Sequence, residues 1–325
     1  MEVRVLRWVD VDSILDGENA RGLVDSIANA FRDFSLGRAV MPQRTVFYLD
    51  DDWWGVMPCG LRGSGVAVKV VNVISRNASR GLPTTQGLVL LFDDETGTPR
   101  AVINGTALTA WRTAAATAVS IRYLARDTDS IAIIGAGLQA RYHAVLFMRV
   151  FNVRKFIINS RTREKALKLA EFIRSRGFDA VVVDSVEDAV RGADVIVAAT
   201  TNKTPVIMGE WLVNGQHVAS IGAPERDARE LNDEVLRRSR RLFVDSRKAV
   251  INETGDVIIP MNNRLIDENY LIEIGEVIAN IKPGRTSDDE ITVFKSVGIA
   301  AEDLAASVYI YNLAVKSNIG VTIEL

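Results

Sequence analysis

A glycine-bearing turn between an apolar strand and a helix constrains the fold of this chain more than any other feature. Residues 130–134 are strand-like, Gly135-Ala-Gly137-Leu-Gln-Ala140 fits G-x-G-x-x-A, and a helical pattern continues to about Phe151. The first glycine permits a tight turn, the second lets the backbone approach a pyrophosphate, and the helix N-terminus attracts phosphate. The predicted dinucleotide-binding residues are Gly135, Gly137, Leu138, Gln139 and Ala140.

The end of the next strand bears on the choice of dinucleotide. Residues 156–159 are followed by Ser160, Arg161 and Thr162, with no acidic residue. An acid here would bind the ribose hydroxyls of NAD, whereas an arginine accommodates the extra phosphate of NADP. These three residues therefore favour NADP(H), with NAD(H) still possible. A purely structural alternative is that the arginines Arg161 and Arg163 solvate the start of a helix.

The surrounding pattern predicts a parallel sheet. Apolar strands separated by helix-like segments or longer connections indicate a sheet covered on both faces. They are expected at 130–134, 155–159, 179–183, 194–199, 217–221 and 241–245, with a further strand at 291–296 and a helix over about 300–317.

The N-terminal part follows a different pattern. Apolar residues at helical spacing predict an amphipathic helix over 20–36, and an alanine-rich helix is expected over 106–125. Between them, short turns separate strands, which indicates an antiparallel sheet. The strands are expected at 44–49, 53–57, 65–74, 86–92 and 99–104. The fold class is therefore α/β: a Rossmann-type dinucleotide-binding domain plus an α+β domain with an antiparallel sheet.

Charge and composition narrow the partners and the compartment. The 325 residues include 39 basic and 41 acidic side chains, so no field favours nucleic acid or an anionic membrane. Cys59 is the single cysteine, and with two histidines at no short spacing no metal site is expected. The N-terminus lacks the apolar stretch of a signal peptide, and no apolar run approaches membrane length. We expect a soluble, cytoplasmic protein.

Three cations in the N-terminal part stand out. Lys69 lies within the apolar strand 65–74, on the face of Ala67 and Val71, where a lysine is costly unless it is paired or functional. Arg44 opens a strand and Arg112 interrupts an alanine-rich helix. If they converge, two guanidinium groups and an ammonium can clamp a carboxylate. The alternatives are a solvent-facing edge strand for Lys69 and surface positions for the arginines.

Several segments together resemble the ornithine cyclodeaminase/mu-crystallin family, in the same order and with similar spacing along nearly the whole chain. They are Gly55-Val-Met-Pro58, Val68-Lys-Val70, Gly81-Leu-Pro-Thr84, Arg112-Thr-Ala-Ala115, Ile134–Ala140, Gly275-Glu-Val-Ile278 and Val293–Gly298. The family includes ornithine and lysine cyclodeaminases, archaeal alanine dehydrogenases and reductases of cyclic ketimines, and mu-crystallin, which binds NADPH and thyroid hormone.

The resemblance implies domains, an assembly and site residues. It predicts a substrate-binding and dimerisation domain from 1–113 with 303–325, a Rossmann domain over 114–302, and a homodimer. Arg44, Lys69 and Arg112 would hold the substrate carboxylate, with Lys69 also a candidate proton donor, and Thr113 would lie near the cofactor phosphates.

Two departures separate the chain from the cyclodeaminases. Gly55-Val56 replaces a glutamate that binds the substrate's side-chain amine, and Pro224 occupies the position of a catalytic aspartate shared with archaeal alanine dehydrogenase. The chain instead resembles the mu-crystallin branch, which has an aspartate at the position of Asp227 and a similar ending to the second strand. Asp227 is thus a candidate catalytic residue, with a plain turn residue as the alternative, and Glu225 is a weaker one. His143 and His217 are interpreted as packing residues.

These observations predict an NAD(P)H-dependent oxidoreductase acting on a C–N bond of a small amino or imino acid. The favoured reaction is reduction of pyrroline-2-carboxylate or piperideine-2-carboxylate. Alanine dehydrogenase, ornithine cyclodeaminase and a non-enzymatic ligand-binding protein regulated by NADPH stay open as alternatives.

Overall fold

The chain folds into two units, Met1–Arg112 with Ile299–Leu325 and Thr113–Gly298. The structure is a computed structural model, which describes residues 2–223 and 225–324. The sequence placed the joins after residue 113 and before residue 303. In the structure the second join lies earlier, at Gly298 and Ile299, because the last long helix is one continuous element that begins at Ala300 and packs on the sheet of the first unit.

Helices and strands follow one another along the whole chain. The N-terminal part has β1 (Glu2–Leu6), α1 (Trp8–Leu15), α2 (Asn19–Ser35), β2 (Thr45–Leu49), β3 (Asp52–Leu61), β4 (Gly65–Val73), β5 (Thr85–Phe92), β6 (Pro99–Asn104) and α3 (Gly105–Leu124). The middle part has β7 (Ser130–Ile134), α4 (Leu138–Val150), β8 (Lys155–Asn159), α5 (Arg163–Ser175), β9 (Asp179–Val182), α6 (Val186–Arg191), β10 (Val195–Ala198) and β11 (His217–Ser220). The remainder has α7 (Asp233–Arg238), β12 (Leu242–Val244), α8 (Arg247–Glu253), α9 (Gly255–Asn262), β13 (Leu271–Glu273), α10 (Ile274–Ile278), β14 (Thr292–Lys295), α11 (Ala300–Lys316) and β15 (Val321–Glu324). Short 3-10 turns cover Ser75–Arg80, Gly209–Trp211 and Glu268–Tyr270.

The sheet of the first unit runs in the order β15-β1-β6-β5-β4-β3-β2. The pairs from β2 to β6 are antiparallel, as their short connections predict. The sheet extends beyond these predicted antiparallel strands, since β1 pairs with β6 in parallel and β15 adds to β1. Neither β1 nor β15 was predicted, because each is a short segment whose strand conformation depends on a partner far away in the chain.

Helices cover one face of this sheet. α11 packs on β3, β4 and β5 and also against α2. The covered face includes the cross-strand row Met57, Lys69, Val89 and Ile103, all nearly or fully buried. On the opposite face apolar side chains stay in solvent, with Leu88 53% exposed. An apolar face without cover in the single chain is a surface on which another protein can pack.

The second unit is built on a parallel sheet. Its described strands run in the order β13-β12-β14-β11-β10-β7-β8-β9, and every pair among them is parallel. The central strands are buried along their whole length, as expected for a sheet covered on both faces. β13, three residues long, was not predicted. The combination of the two sheets confirms the predicted α/β fold class with a Rossmann-type domain.

No helix among the described residues is long and apolar enough to cross a membrane.

Candidate active site

The glycine loop follows β7, and its first glycine cannot be replaced without strain. Gly135 has φ +119°, and a Cβ there would lie 2.4 Å from the carbonyl oxygen of Ala199, beyond the neighbouring strand β10. Its amide donates to the carbonyl of Asn159 at 2.8 Å. The turn is therefore tight because it is held between the ends of β8 and β10, which explains the first glycine of the motif.

The second glycine leaves room for a ligand. Gly137 is the N-cap of α4, and a Cβ built there would meet nothing within 4 Å. No side chain caps the helix, so amides of its first turn are available to a phosphate. Leu138 and Gln139 open the helix, and Ala140 is fully buried, where a small side chain allows close packing. The predicted loop residues fit a bound dinucleotide.

His143, on α4, links this helix to α3. Its ring nitrogens lie 2.7 Å from the carbonyl oxygen of Gln139 and 2.9 Å from Oγ1 of Thr117 on α3. Because a carbonyl oxygen only accepts, Nδ1 of the neutral ring donates to Gln139, and Nε2 accepts from the hydroxyl of Thr117. Burial lowers the pKa of His143 to about 4, so the ring is neutral near pH 7. A buried, neutral histidine with both nitrogens engaged is a packing residue, as the sequence suggested, and His217 has a similar environment.

The end of β8 lies beside the glycine loop. Asn159 is buried and donates to the carbonyl of Val183, whereas Arg161 and Thr162 are exposed and Ser160 is half-buried. Within the described part of the chain Arg161 forms no ion pair, while Arg163 is bonded to Asp184. The two arginines therefore differ, since Arg163 has an acidic partner and Arg161 has none among the described residues.

In the first unit, Lys69 is buried against an aspartate. Its side chain is 1% exposed, and its ammonium lies 2.7 Å from each carboxylate oxygen of Asp303 on α11. β4 is an internal strand and Lys69 points to its covered face, which rules out the solvent-facing edge-strand alternative. Burial lowers the pKa of Lys69 to about 8, and the charge of Asp303 opposes that shift.

Arg112 joins the same cluster. Its Nη1 donates to Glu302 at 2.9 Å, and its Nε lies 3.2 Å from Asp303. Arg112 is 6% exposed, so it is not a surface residue. Arg44 is half-buried, and its charge contributes to lowering the pKa of Lys69. The structure thus brings Lys69 and Arg112 together on Asp303, and the charge of Arg44, also in the first unit, acts on Lys69.

Glu302 and Asp303 were missed from the sequence. Both lie in the first turn of α11, where acidic residues are usual because they complement the helix dipole. Their position therefore gave no reason to expect contacts with Lys69 and Arg112. The signal that could have identified them is that the helix around them is alanine-rich and apolar, so acids on its buried side require cations. Glu302 also accepts from the amide of Ile299 at 2.9 Å.

Two further predicted residues lie in the second unit. Thr113 is buried at its boundary, inside α3. Asp227 is exposed in the segment between β11 and α7, and nearby Glu225 pairs with Lys203 at 2.9 Å. Pro224, which departs from the cyclodeaminase pattern, lies outside the described residues. Across residues 2–223 and 225–324, no cluster of His, Cys, Asp and Glu could hold a metal ion.

Comparison with known proteins matches this chain to one family. Residues 4–318 match the model of the ornithine cyclodeaminase/mu-crystallin family. The chain therefore belongs to that family, which confirms the resemblance seen in the sequence motifs.

Individual relatives agree with the assignment. Ketimine reductase mu-crystallin of Mus musculus is 36% identical over 297 residues, covering 89% of this chain and 91% of that protein. The structure of Thermococcus litoralis Δ1-pyrroline-2-carboxylate reductase with NADH and L-proline superposes with a TM-score of 0.94 at 37% identity, covering 99% of this chain and 100% of that one. An archaeal alanine dehydrogenase dimer with bound NAD gives a TM-score of 0.92 at 32% identity, covering both chains fully.

Fold, glycine loop and family together define the class. The protein is an NAD(P)-dependent oxidoreductase of the ornithine cyclodeaminase/mu-crystallin family.

Proposed function

We propose that this protein reduces a cyclic imine bearing a carboxylate, such as pyrroline-2-carboxylate or piperideine-2-carboxylate, to the corresponding cyclic amino acid. The observation that carries the proposal is the buried cluster of Lys69 and Arg112 with Asp303 and Glu302, beside Arg44. The relatives named for pyrroline-2-carboxylate and ketimine reduction support it. A reduced nicotinamide dinucleotide supplies the hydride.

Arg44 and Arg112 bind the substrate carboxylate in this proposal. Glu302 holds one end of the Arg112 guanidinium at 2.9 Å, which fixes the plane of the group before substrate arrives. A planar guanidinium matches a carboxylate in two parallel hydrogen bonds, so its orientation determines how the ring lies. Fixing one reactant in this way removes part of the entropic cost of the reaction.

Lys69 supplies the proton. Hydride addition to the imine carbon is accompanied by transfer of the Lys69 ammonium proton to the imine nitrogen, which becomes an amine, and solvent later returns a proton to Lys69. A pKa of about 8 suits this role, since Lys69 is mostly charged near pH 7 yet gives up its proton readily. Asp303 keeps the ammonium in place with two contacts of 2.7 Å. Asp227 stays a second candidate for acid–base chemistry, at an exposed position.

The substrate preference can be tested with one enzyme preparation. We expect the two cyclic imines plus NADPH or NADH to turn over much faster than ornithine is converted to proline, because Val56 and Gly55 offer no charge for a terminal amine. Cofactor absorbance reports imine reduction, and an ammonia assay reports deamination. Efficient ammonia release from ornithine without net cofactor oxidation would contradict the proposal.

Pyruvate with ammonia should be included in the same panel. Alanine dehydrogenase is a second candidate, favoured by the 32% identity and full-length superposition with the archaeal dimer. It shares the carboxylate clamp and the hydride donor, and it differs in forming an open-chain imine from free ammonia. Higher kcat/KM with pyruvate and ammonia than with either cyclic imine would select this function.

The pH dependence tests the pairing of Lys69 with Asp303. Activity needs the protonated lysine, so kcat/KM should fall as pH rises through about 8. Asp303→Asn removes the charge that raises the pKa of Lys69, so this limb should move to lower pH. Removing one partner of a buried ion pair costs roughly 3–5 kcal/mol of stability, so an unchanged circular dichroism spectrum must first show that the variant is folded.

Glu302→Gln is the matched control for that substitution. Glu302 is equally buried on the same helix but contacts Arg112 instead of Lys69. The Glu302→Gln variant should have a higher KM, and the basic limb of its pH profile should stay at the same pH. If the basic limb of Asp303→Asn stays at the same pH, Lys69 is not the proton donor.

We further propose that NADPH is preferred over NADH. Ser160, Arg161 and Thr162 end β8 without an acid, and Arg161 is exposed with no ion pair among the described residues. Arg161→Ala should weaken the binding of NADPH by about tenfold or more, because a charge-assisted contact contributes about that much affinity. The binding of NADH should stay nearly unchanged. Titration of both cofactors into the free protein measures this.

The neighbouring arginine provides the control for the cofactor test. Arg163 is already bonded to Asp184, so Arg163→Ala should leave the ratio of the two dissociation constants unchanged. Equal or tighter binding of NADH to the unmodified protein would show that the preference is wrong, and the NADH and NAD complexes of the relatives make this comparison necessary.

A homodimer is the proposed assembly. The uncovered face of the first unit's sheet carries Val70, Leu88 and Leu90, which are 37%, 53% and 38% exposed. These side chains are neighbours on adjacent strands and form an apolar patch. The archaeal relative is a dimer, and a second copy of this chain is the occupant that we propose for the patch.

Sedimentation velocity tests the assembly. The unmodified protein should sediment as a dimer, and Leu88→Lys should shift it to monomer because an ammonium would have to be desolvated at the interface. Leu167→Lys on α5 is the control, since Leu167 is similarly exposed at 45% but lies in the second unit. A dimer that survives Leu88→Lys places the interface elsewhere.

A further inference from the structure

A cluster of three charged side chains that have no role in the proposed chemistry is completely buried in the second unit. They are Glu230, Asp256 and Lys295, each with 0% exposure. The ammonium of Lys295 lies 2.8 Å from Asp256 and donates to Oγ of Ser220 at 3.0 Å. Burying charges costs free energy even when they are paired, and apolar residues of similar volume often stabilise a domain equally well. The cluster therefore points to a function beyond holding the domain together.

Glu230 joins two loops through its carboxylate. One oxygen accepts from the amide and the hydroxyl of Thr200, at 2.8 and 2.7 Å. The other accepts from the hydroxyl of Ser220 and the amide of Gly222, both at 2.8 Å. Thr200 follows β10, and Gly222 follows β11. All four bonds therefore fix the chain where these neighbouring strands end.

The other two charges hold Glu230 in place. One oxygen of Asp256 accepts from the amides of Glu230 and Leu231, at 3.0 and 2.9 Å. Lys295 neutralises Asp256 and also donates to the carbonyl of Gly222. The loops are packed so closely that a Cβ on Gly222 would lie 2.2 Å from the carbonyl oxygen of Thr200. Neither loop can shift without breaking this network.

The position of these loops in the sheet connects them to the dinucleotide. β10 pairs with β7, which leads into the glycine loop, and β11 pairs with β10. In a doubly wound sheet the ligand lies beyond the carboxyl ends of the strands, and each half of the sheet takes one mononucleotide. The glycine loop and β8 belong to the half that binds the adenosine side. The loops after β10 and β11 belong to the other half, which receives the nicotinamide side.

We propose that Glu230, supported by Asp256 and Lys295, is a positioning residue that shapes the nicotinamide-binding edge of the second unit. It acts through the backbone of Thr200 and Gly222 and touches no reacting atom. The proposal rests on the use of a nicotinamide dinucleotide and is independent of the imine substrate, so failure of the substrate assay leaves it intact.

The test compares a complete cofactor with one that lacks nicotinamide. Dissociation constants are measured by calorimetry for NADPH and 2′-phospho-ADP-ribose, and for NADH and ADP-ribose. In Glu230→Gln an amide nitrogen faces donors that the carboxylate oxygen accepted. We expect the complete cofactors to bind at least about tenfold more weakly, the value of one charge-assisted hydrogen bond. Binding of the two ADP-ribose compounds should change less than about twofold, within the scatter expected for contacts left intact.

Glu290→Gln is the matched control. Glu290 is also buried and also accepts from the amide and hydroxyl of a threonine, Thr286, at 2.6 and 2.8 Å. Glu290 precedes β14 and therefore lies at the amino-terminal ends of the strands, whereas the loops that Glu230 fixes follow the carboxyl ends. This variant should bind all four compounds as the unmodified protein does.

If Glu230→Gln does not fold, Thr200→Val tests the positioning role of Glu230 instead. It removes one hydroxyl donor to Glu230 and keeps the size of the side chain. The same selective loss for the complete cofactors, at smaller size, is expected. Equal weakening of complete and truncated compounds, or no weakening at all, in the folded variant would overturn the proposal.

Discussion

The pairing of Lys69 with Asp303 is the contact on which the layout of the first unit depends. The two residues are 234 positions apart, and both side chains are 1% exposed. A buried ammonium without a partner is strongly disfavoured. The covered face of β4 can therefore hold Lys69 only if α11 returns from the end of the chain to bring an acid to it. This requirement explains in physical terms why the first unit is made of two separate segments.

Local features of the sequence were predictable, and contacts between distant segments were not. The turn at Gly135 and the helix after Gly137 follow from residues close in sequence, and strand alternation placed Lys69 on the face of Ala67 and Val71. The partner of Lys69 could not be predicted, because nothing near Asp303 in the sequence refers to β4. The strands β1 and β15 were missed for the same reason, since each depends on a partner from the other end of the chain.

Buried acids were the least predictable part of either unit. Glu230 lies in a segment rich in charged residues, where a solvated turn is the ordinary interpretation, yet it accepts four hydrogen bonds at 0% exposure. Glu302 was hidden by its place in a helix's first turn. Composition and periodicity describe how often a residue type is buried. Whether a particular acid is buried depends on which donors surround it, and these come from several strands at once.

The charges around Lys69 also bear on the form of substrate that the proposed reaction uses. Lys69 and Arg112 carry two positive charges, and Glu302 and Asp303 carry two negative ones, so these four buried groups sum to zero. A carboxylate entering such a neutral, water-poor cluster needs a compensating positive charge. Arg44 provides this charge in the proposed clamp. The five groups and one substrate carboxylate then carry no net charge together, so the charge balance of the clamp fits a substrate with a single carboxylate.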